Sequence, residues 1–586
     1  MSAVSRKHIL LPVLVGLLLV SPSLFTGLQL DDYYHWGLVT ENPLAKPGND
    51  HAGLFKLFTF LDGDPARTQW LVDKGMLPWW TLPEVKYMFW RPVSELTHGI
   101  DYLLWPQQPI IMHAHSLLYF VILLLVTYQL LQRWLSGRPL VWAYWIFCLS
   151  YTHGFAAGWL ANRNAVIASL FVALTLYYHD RWRREQQGRF HLAALVCFVL
   201  SLLSGEIGVS AGLFLLSYAL CFETSNARQS LTLRKLRHLL SIVPYGVAGM
   251  LWLLARGLMG YGAEGSGHYV DPADPGHFLA TVSERYLLLA NGLFWSIPPE
   301  FAGLMGDTLP VVIALAGMLL LGLVFKPLLS TSPLARFLLL SILIMLIPVC
   351  ATQPHSRLLI AASIPLAALA GLYLGLRWEH RQRETGLRRM LSPLASGLLI
   401  ISLLVLSPLL LVLESVQMKI AMDGLLNRGA MNLQINPDQQ SKVHVLINPP
   451  VSSVAGYIQG VRAYHGLATA KAVIPLVSAS GELELHIKPG GALEITSQKG
   501  LYEATQESLL RSSAHALQPG DRLTVAGIDA SVLAVDDSGI PVKVQFQFPP
   551  ERDKYVFHLW HGGKPVQCEL PPPGTRLTLT RNTESC

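Results

Sequence analysis

Up to residue 413 the chain is a series of long apolar blocks separated by more polar segments, most of them short. About 20 apolar residues cross a hydrocarbon core. On that length the sequence predicts spans near 9–30, 109–131, 139–157, 165–179, 190–205, 207–222, 239–258, 309–325, 337–350, 358–376 and 391–413. The expected fold class is therefore a polytopic α-helical membrane protein with about eleven transmembrane helices. The first block resembles a signal peptide, with Arg6-Lys7 ahead of an apolar core. It is longer than an ordinary h-region and no A-x-A site follows, so it reads as an uncleaved first helix.

Beyond residue 413 the period changes. Val443-His444-Val445-Leu446-Ile447, Leu483-Glu484-Leu485-His486-Ile487, Leu523-Thr524-Val525 and Val542-Lys543-Val544-Gln545-Phe546-Gln547-Phe548 alternate apolar and polar positions, as strands facing one core do. Pro489-Gly490-Gly491, Pro519-Gly520-Asp521 and Asp537-Ser538-Gly539 mark turns between them. A helical stretch near 452–466 follows the first strand. The pattern predicts a transmembrane domain over 1–435 and a soluble, mainly β domain with an α/β entry over 436–586.

Composition agrees with a membrane chain: 52% of residues are hydrophobic and 14% are charged. A net charge of +6 raises the question of nucleic acid. The basic residues, however, gather at 132–138, 181–189, 228–237 and 377–389 and at Arg6-Lys7, between apolar blocks. That distribution excludes nucleic acid as the expected partner and marks the cytoplasmic side. With alternating spans the N-terminus is cytoplasmic, and 31–108, 259–308 and 414–586 lie outside. Cys148, Cys197, Cys221 and Cys350 fall in apolar runs as small hydrophobic filler. Cys568 and Cys586 lie in the polar tail and pair if it faces an oxidising compartment.

The first outside loop opens on Leu30-Asp31-Asp32-Tyr33-Tyr34-His35-Trp36. Two adjacent carboxylates beside a bilayer either end a helix with a hydrophilic stop or form a reactive pair. In the second case low dielectric and mutual repulsion raise one carboxylate's pKa and ready it to take a proton from a hydroxyl. Such a pair also suits a divalent cation, magnesium or manganese. Residues 91–105 predict an amphipathic helix, with Pro92 in its first turn. Arg91, Glu95, His98 and Tyr102 recur on one polar stripe, which is either solvated or part of a binding surface. Leu96 and Leu103 face the membrane. His113 and His115, two residues apart on a helix, point to different faces and so do not share a metal.

Three more polar sites fall at the predicted outer ends of spans: Asn162-Arg163-Asn164, Ser204-Gly205-Glu206 and His355-Ser356-Arg357. Charge at membrane depth is costly and points to function or to a buried partner. Arg163 and Arg357 have the fork shape that grips phosphate, and Glu206 is a counter-ion by default.

These motifs, in this order, resemble the C-type glycosyltransferase superfamily, which includes protein O-mannosyltransferases, oligosaccharyltransferase catalytic subunits and the aminoarabinose transferase of lipid A. The resemblance rests on Asp31-Asp32, Arg91-Pro92, the run Trp159-Leu160-Ala161-Asn162-Arg163-Asn164, the run Ser204-Gly205-Glu206-Ile207-Gly208, and Arg357 opening an apolar helix. It covers about 1–380 and leaves the tail unexplained. It implies a bacterial inner-membrane transferase that takes a sugar from a polyprenyl-phosphate donor in the membrane lipid and passes it to a periplasmic acceptor glycan, lipid or protein. Asp31 or Asp32 would be the base of an inverting displacement. Arg357 and Arg163 would steady the departing phosphate, and Arg91, His98, Glu206 and His355 would line the substrate site. Some members of the superfamily use a divalent metal and others do not. The chain has no P-loop or Rossmann fingerprint for a nucleotide.

Two other classes compete. A transporter or flippase would carry ionisable residues at mid-span and broken helices. A polysaccharide polymerase or ligase would rely on arginines in later loops, with the Asp pair incidental. In the transferase reading the tail positions the acceptor.

Overall fold

The computed structural model describes residues 7–42, 54–221, 231–270, 275–306, 308–380, 386–503, 507–580 and 583. The chain divides into two compact units. One comprises Met1–Leu28, Trp90–Met259 and Asp271–Met418, and the other Gln29–Phe89, Gly260–Val270 and Lys419–Cys586. The boundary expected at 435/436 falls inside the second unit, which also takes in most of the first outside loop.

The first unit is helical. Six helices among the described residues are long and apolar enough to cross a membrane: Pro109–Leu131, Leu160–Glu185, Leu239–Leu258, Thr308–Thr331, Ser356–Arg377 and Gly386–Asn432. The last of these runs on past the unit boundary. Shorter apolar helices occupy Ile9–Phe25, Gly188–Ser204, Glu206–Cys221 and Pro333–Val349. The chain is thus a multi-pass membrane protein, with six such spans among the described residues where the sequence predicts about eleven. The differences have local causes. The helix expected over 9–30 ends as Lys7–Val20 and tightens into a 3-10 turn at Ser21–Phe25, where Pro22 supplies no N–H. The span expected over 139–157 is a helix only over Gly137–Cys148, followed by short turns at Tyr151–His153 and Gly154–Gly158. A Cβ on Gly158 would lie 2.2 Å from the Ser415 carbonyl oxygen, so the backbone passes where no side chain fits. The helix Pro275–Trp295 was hidden from the pattern by Glu284-Arg285 in mid-run. Arg285 Nη1 donates to the Cys350 carbonyl at 3.1 Å.

The helix Ile360–His380 is buried along nearly its whole length. Gly371 and Gly375 let it approach Gly137–Cys148, where a Cβ on Gly371 would lie 2.5 Å from the Ala143 nitrogen and one on Gly375 2.6 Å from Pro139. Small residues four apart allow such contact between helices in a bilayer.

The second unit carries three sheets. The four-stranded one runs, in order, Lys564–Cys568, Tyr555–His561, Val443–Ile447 and Ala472–Pro475. Its last three strands are parallel, in register at Tyr555 with Val443 and at Val443 with Ala472, and the helix Ser453–Tyr464 makes the crossover between Val443–Ile447 and Ala472–Pro475. All five residues of Val443–Ile447 are buried, although alternation predicted one wet face. A central parallel strand is covered on both sides. His444 tolerates this by stacking on His558, its Nδ1 2.9 Å from His558 Nε2.

The six-stranded sheet is antiparallel, in the order Arg576–Leu579, Leu483–Ile487, Leu493–Thr496, Pro541–Gln547, Ile528–Val535 and Arg522–Val525. Thr59–Asp62, Lys86–Met88 and Gly262–Glu264 form the third. Trp79 and Trp80, from the first loop, sit in the core beside the tail strands. Trp79 Nε1 donates to the Leu476 carbonyl at 2.8 Å, and the Trp80 ring stacks on Tyr502 at 4.8 Å. Cys568 is disulfide-bonded, and its expected partner Cys586 lies outside the described residues.

Candidate active site

Asp31 and Asp32 do not terminate a membrane helix. They open a separate helix, Asp31–Val39, in the second unit. Leu30, just before them, holds φ at +44°, a value that non-glycine residues seldom adopt and that tends to mark functional or strained positions. The two carboxylates then part. Asp32 is fully buried, and its Oδ2 accepts the Gln29 backbone N–H at 2.9 Å, from the segment just ahead of the helix. Asp31 is half-buried, and its carboxylate accepts the hydroxyl proton of Tyr457 on the helix Ser453–Tyr464. Burial, and after it the Asp31 charge, hold the Tyr457 hydroxyl well above its ordinary pKa, so it stays protonated and donates.

Among the described residues no group of three or more His, Cys, Asp or Glu side chains is arranged to hold an ion.

A cavity of about 360 Å³ lies within the second unit, with Tyr457 in its wall. Its polar lining includes Ser452, Gln459 and Glu507. Glu507 accepts from Ser452 Oγ and from Trp80 Nε1, and burial raises its pKa.

The remaining predicted residues belong to the first unit. The helix expected at 91–105 spans Pro92–Leu104, and its polar stripe is buried: Glu95, His98, Asp101 and Tyr102 are each 2% exposed or less. Leu96, Ile100, Leu103 and Leu104 face outward. The solvated reading of the stripe is thereby excluded, and the apolar face is the one left for lipid. Ser94 Oγ donates to the Ser204 carbonyl at 2.7 Å. Arg91 donates to Glu206 Oε2 through Nε at 2.9 Å and Nη2 at 2.7 Å, so Glu206 is a counter-ion as expected.

Arg163 departs from its expected part. It is fully buried, donating from Nε to Ser116 Oγ at 2.8 Å, from Nη2 to the Met112 carbonyl at 2.8 Å and from Nη1 to the Thr97 carbonyl at 3.3 Å. It also pairs with Asp101. With its donors turned into the protein, this guanidinium organises helices and is not offered to a phosphate. Asp101 also meets His115 Nδ1 at 2.8 Å, while His113 Nε2 lies 2.9 Å from Thr26 Oγ1, so the two histidines do serve different faces.

Arg357 is half-exposed, with its guanidinium 5.7 Å from the Phe155 ring centre and 5.9 Å from that of Trp159. The segment before it is clasped by two carboxylates that the sequence reading missed. The Ser356 N–H donates to Glu300 Oε2 at 2.9 Å, and Ser356 Oγ donates to Glu414 Oε2 at 3.1 Å. His355 Nδ1 lies 3.3 Å from Glu300 Oε1. Burial, and then the Arg357 charge, push the His355 pKa well down, which leaves the ring neutral. Burial raises that of Glu300. Glu414 follows Leu411-Val412-Leu413, and a carboxylate ending so apolar a run was the signal available for it. For Asp101 it was the three-residue spacing from His98.

No protein-family profile and no curated protein sequence matches the chain. Among solved structures, those similar to it include two membrane glycosyltransferases of the C-type superfamily. One is archaeal oligosaccharyltransferase AglB from Archaeoglobus fulgidus, in complex with an inhibitory peptide and a dolichol-phosphate. It is 14% identical at a TM-score of 0.41, over 80% of this chain and 64% of that one. The other is ArnT from Cupriavidus metallidurans bound to undecaprenyl phosphate, 13% identical at a TM-score of 0.39, over 92% of this chain and 98% of that one. The chain spans slightly less than two thirds of the length of the archaeal enzyme.

Proposed function

We propose that this protein is an inverting membrane glycosyltransferase, which moves a sugar from a polyprenyl-phosphate donor to an extracytoplasmic glycan, lipid or protein acceptor. In this reading Asp31 is the base. As an acceptor oxygen bonds to the anomeric carbon and the lipid phosphate leaves with the bonding pair, the acceptor's hydroxyl proton passes to the Asp31 carboxylate. Arg357, half-exposed and within 5.9 Å of the Phe155 and Trp159 ring centres, is the guanidinium that would stabilise the phosphate charge as it develops. Arg91 and Glu206 hold each other, and Asp32 holds its own helix.

The observation that carries the proposal is the division within the carboxylate pair. One is sealed in on the Gln29 N–H just ahead of its helix, and the other is half-buried on the hydroxyl of Tyr457, a residue that lines a cavity. The test is release of polyprenyl phosphate from a polyprenyl-phosphate sugar by the purified full-length protein, with an envelope glycan or lipid extract as acceptor. Unchanged release by a folded Asp31→Asn variant would refute the base assignment.

A further inference from the structure

We infer that the cavity in the second unit binds the acceptor, and that what it takes is the face of an uncharged pyranose ring. The inference rests on the transferase reading and adds to it the chemistry of the acceptor.

The cavity's volume, about 360 Å³, lies at the small-ligand end of the range for binding sites. Its walls are aromatic on several sides: Tyr34, Trp36, Phe60, Tyr87 and Tyr457 all line it. These rings brace one another, Tyr34 on Phe60 at 5.8 Å and Phe60 on Tyr87 at 5.9 Å between centres. The helix Ser453–Tyr464 turns Gly456, Gly460 and Ala463 toward the space, and these small residues leave it open. A Cβ on Gly456 would lie 2.4 Å from the Met76 carbonyl oxygen, so the close approach of this helix depends on glycine there.

Charge selects the ligand class. Among the described residues that line the cavity, none is Lys or Arg. A phosphate or carboxylate entering it would lose its hydration with no lysine or arginine in the described lining to compensate. That argues against the donor's phosphate and against an acidic acceptor. A pyranose ring has the opposite character. Its axial C–H bonds form weakly positive apolar faces that suit the negative faces of aromatic rings. Its hydroxyls need scattered hydrogen-bond partners, a kind of group that the lining tyrosines, with Asn42 and His268, carry. Tyr457, in the cavity wall, donates its hydroxyl to Asp31 and so links the space to that carboxylate, which is not itself a lining residue.

The experiment is saturation-transfer NMR on the full-length protein in detergent, titrated separately with methyl glucoside, methyl galactoside, methyl mannoside and methyl N-acetylglucosaminide, and with inorganic phosphate. At least one pyranoside should bind, unaffected by phosphate, and at least about tenfold more weakly to Ala463→Trp, which fills the space. Leu509→Trp, which fills it from another element, provides the same test should Ala463→Trp not fold. Absence of binding by all four glycosides, competition by phosphate, or unchanged binding to a folded filled variant would each overturn the inference. Donor turnover by Asp31→Asn, measured in parallel, separates the two proposals. Sugar binding beside an unaffected turnover would sink the base and keep the cavity, and the reverse pair of results would do the opposite.

Discussion

The Tyr457 hydroxyl donates to the Asp31 carboxylate across 426 positions of sequence, and so ties a helix of the tail to the start of the first loop. The neighbouring Asp32 makes its bond only three positions away. The two carboxylates should therefore fail differently. Asp31→Asn should lower turnover by about 10²–10⁴, the range for a lost general base, with little change in thermal stability. Asp32→Asn keeps an oxygen for the Gln29 N–H and should remain active. Asp32→Ala leaves a buried N–H without this acceptor, should cost about 1–3 kcal/mol of stability and show its effect in unfolding before it shows in rate.

Arg163 and Asp101 form a buried ion pair, with exposures of 0% and 1%. Removing one partner strands the other charge. Asp101→Ala or Arg163→Ala should destabilise the protein by about 3–5 kcal/mol, and the double variant by less than the sum. Thermal unfolding in detergent measures this. A folded Arg163→Ala protein that changed only the KM for donor would contradict the part of Arg163 as an organiser of helices.

The stacked pair of His444 and His558 gives the second unit a sign of pH dependence. His444 Nε2 lies 3.2 Å from the Gln439 carbonyl and so carries the proton, leaving Nδ1 to accept from His558 Nε2. His444, accepting at Nδ1, must then be neutral. Burial and the neighbouring His444 depress the His558 pKa from 6.5 to about 3. A depressed base binds more protons in the unfolded chain, so its contribution is complete above about pH 6.5 and is lost as pH falls toward 3. Intrinsic fluorescence melts should show the midpoint dropping by several degrees through that window. His558→Phe should flatten the dependence.

At Gly371, a leucine would meet the Ala143 backbone, where even a Cβ would lie 2.5 Å from the nitrogen. Gly371→Leu should cost at least about 1–3 kcal/mol through overpacking and reduce the yield of folded protein from membranes. Gly397, with no atom within 4 Å of its would-be Cβ, should accept alanine with no such loss.

Much of this architecture is written in local periods. The strands Val443–Ile447 and Leu483–Ile487 and the polar stripe before Tyr102 fall where alternation and helical spacing put them. What the periods do not carry is the identity of a distant partner. The pairing of Arg163 with Asp101 and the clasp of Ser356 by Glu300 and Glu414 depend on helices meeting, and a charge in an apolar run looks the same whether it waits for a ligand or already holds a neighbour. The same limit made Asp31 and Asp32 look equivalent. Span bounds shift where Pro22 tightens the end of the first helix and where the helix Gly137–Cys148 gives way to short turns in a run that composition alone would continue.

The second unit is assembled from Gln29–Phe89, Gly260–Val270 and Lys419–Cys586, and this has a consequence for biogenesis. Trp79 and Trp80 leave the ribosome early, yet Leu476 and Tyr502, which receive them, are made near the end. The first loop must wait, with its tryptophans uncovered, through the synthesis and insertion of the intervening helices. Pairings so far apart in sequence close late and leave apolar surface open to chaperones until they do. A message cut short before the tail would yield a loop without a core, and hence a chain for quality control to remove rather than a membrane enzyme that has merely lost an accessory domain.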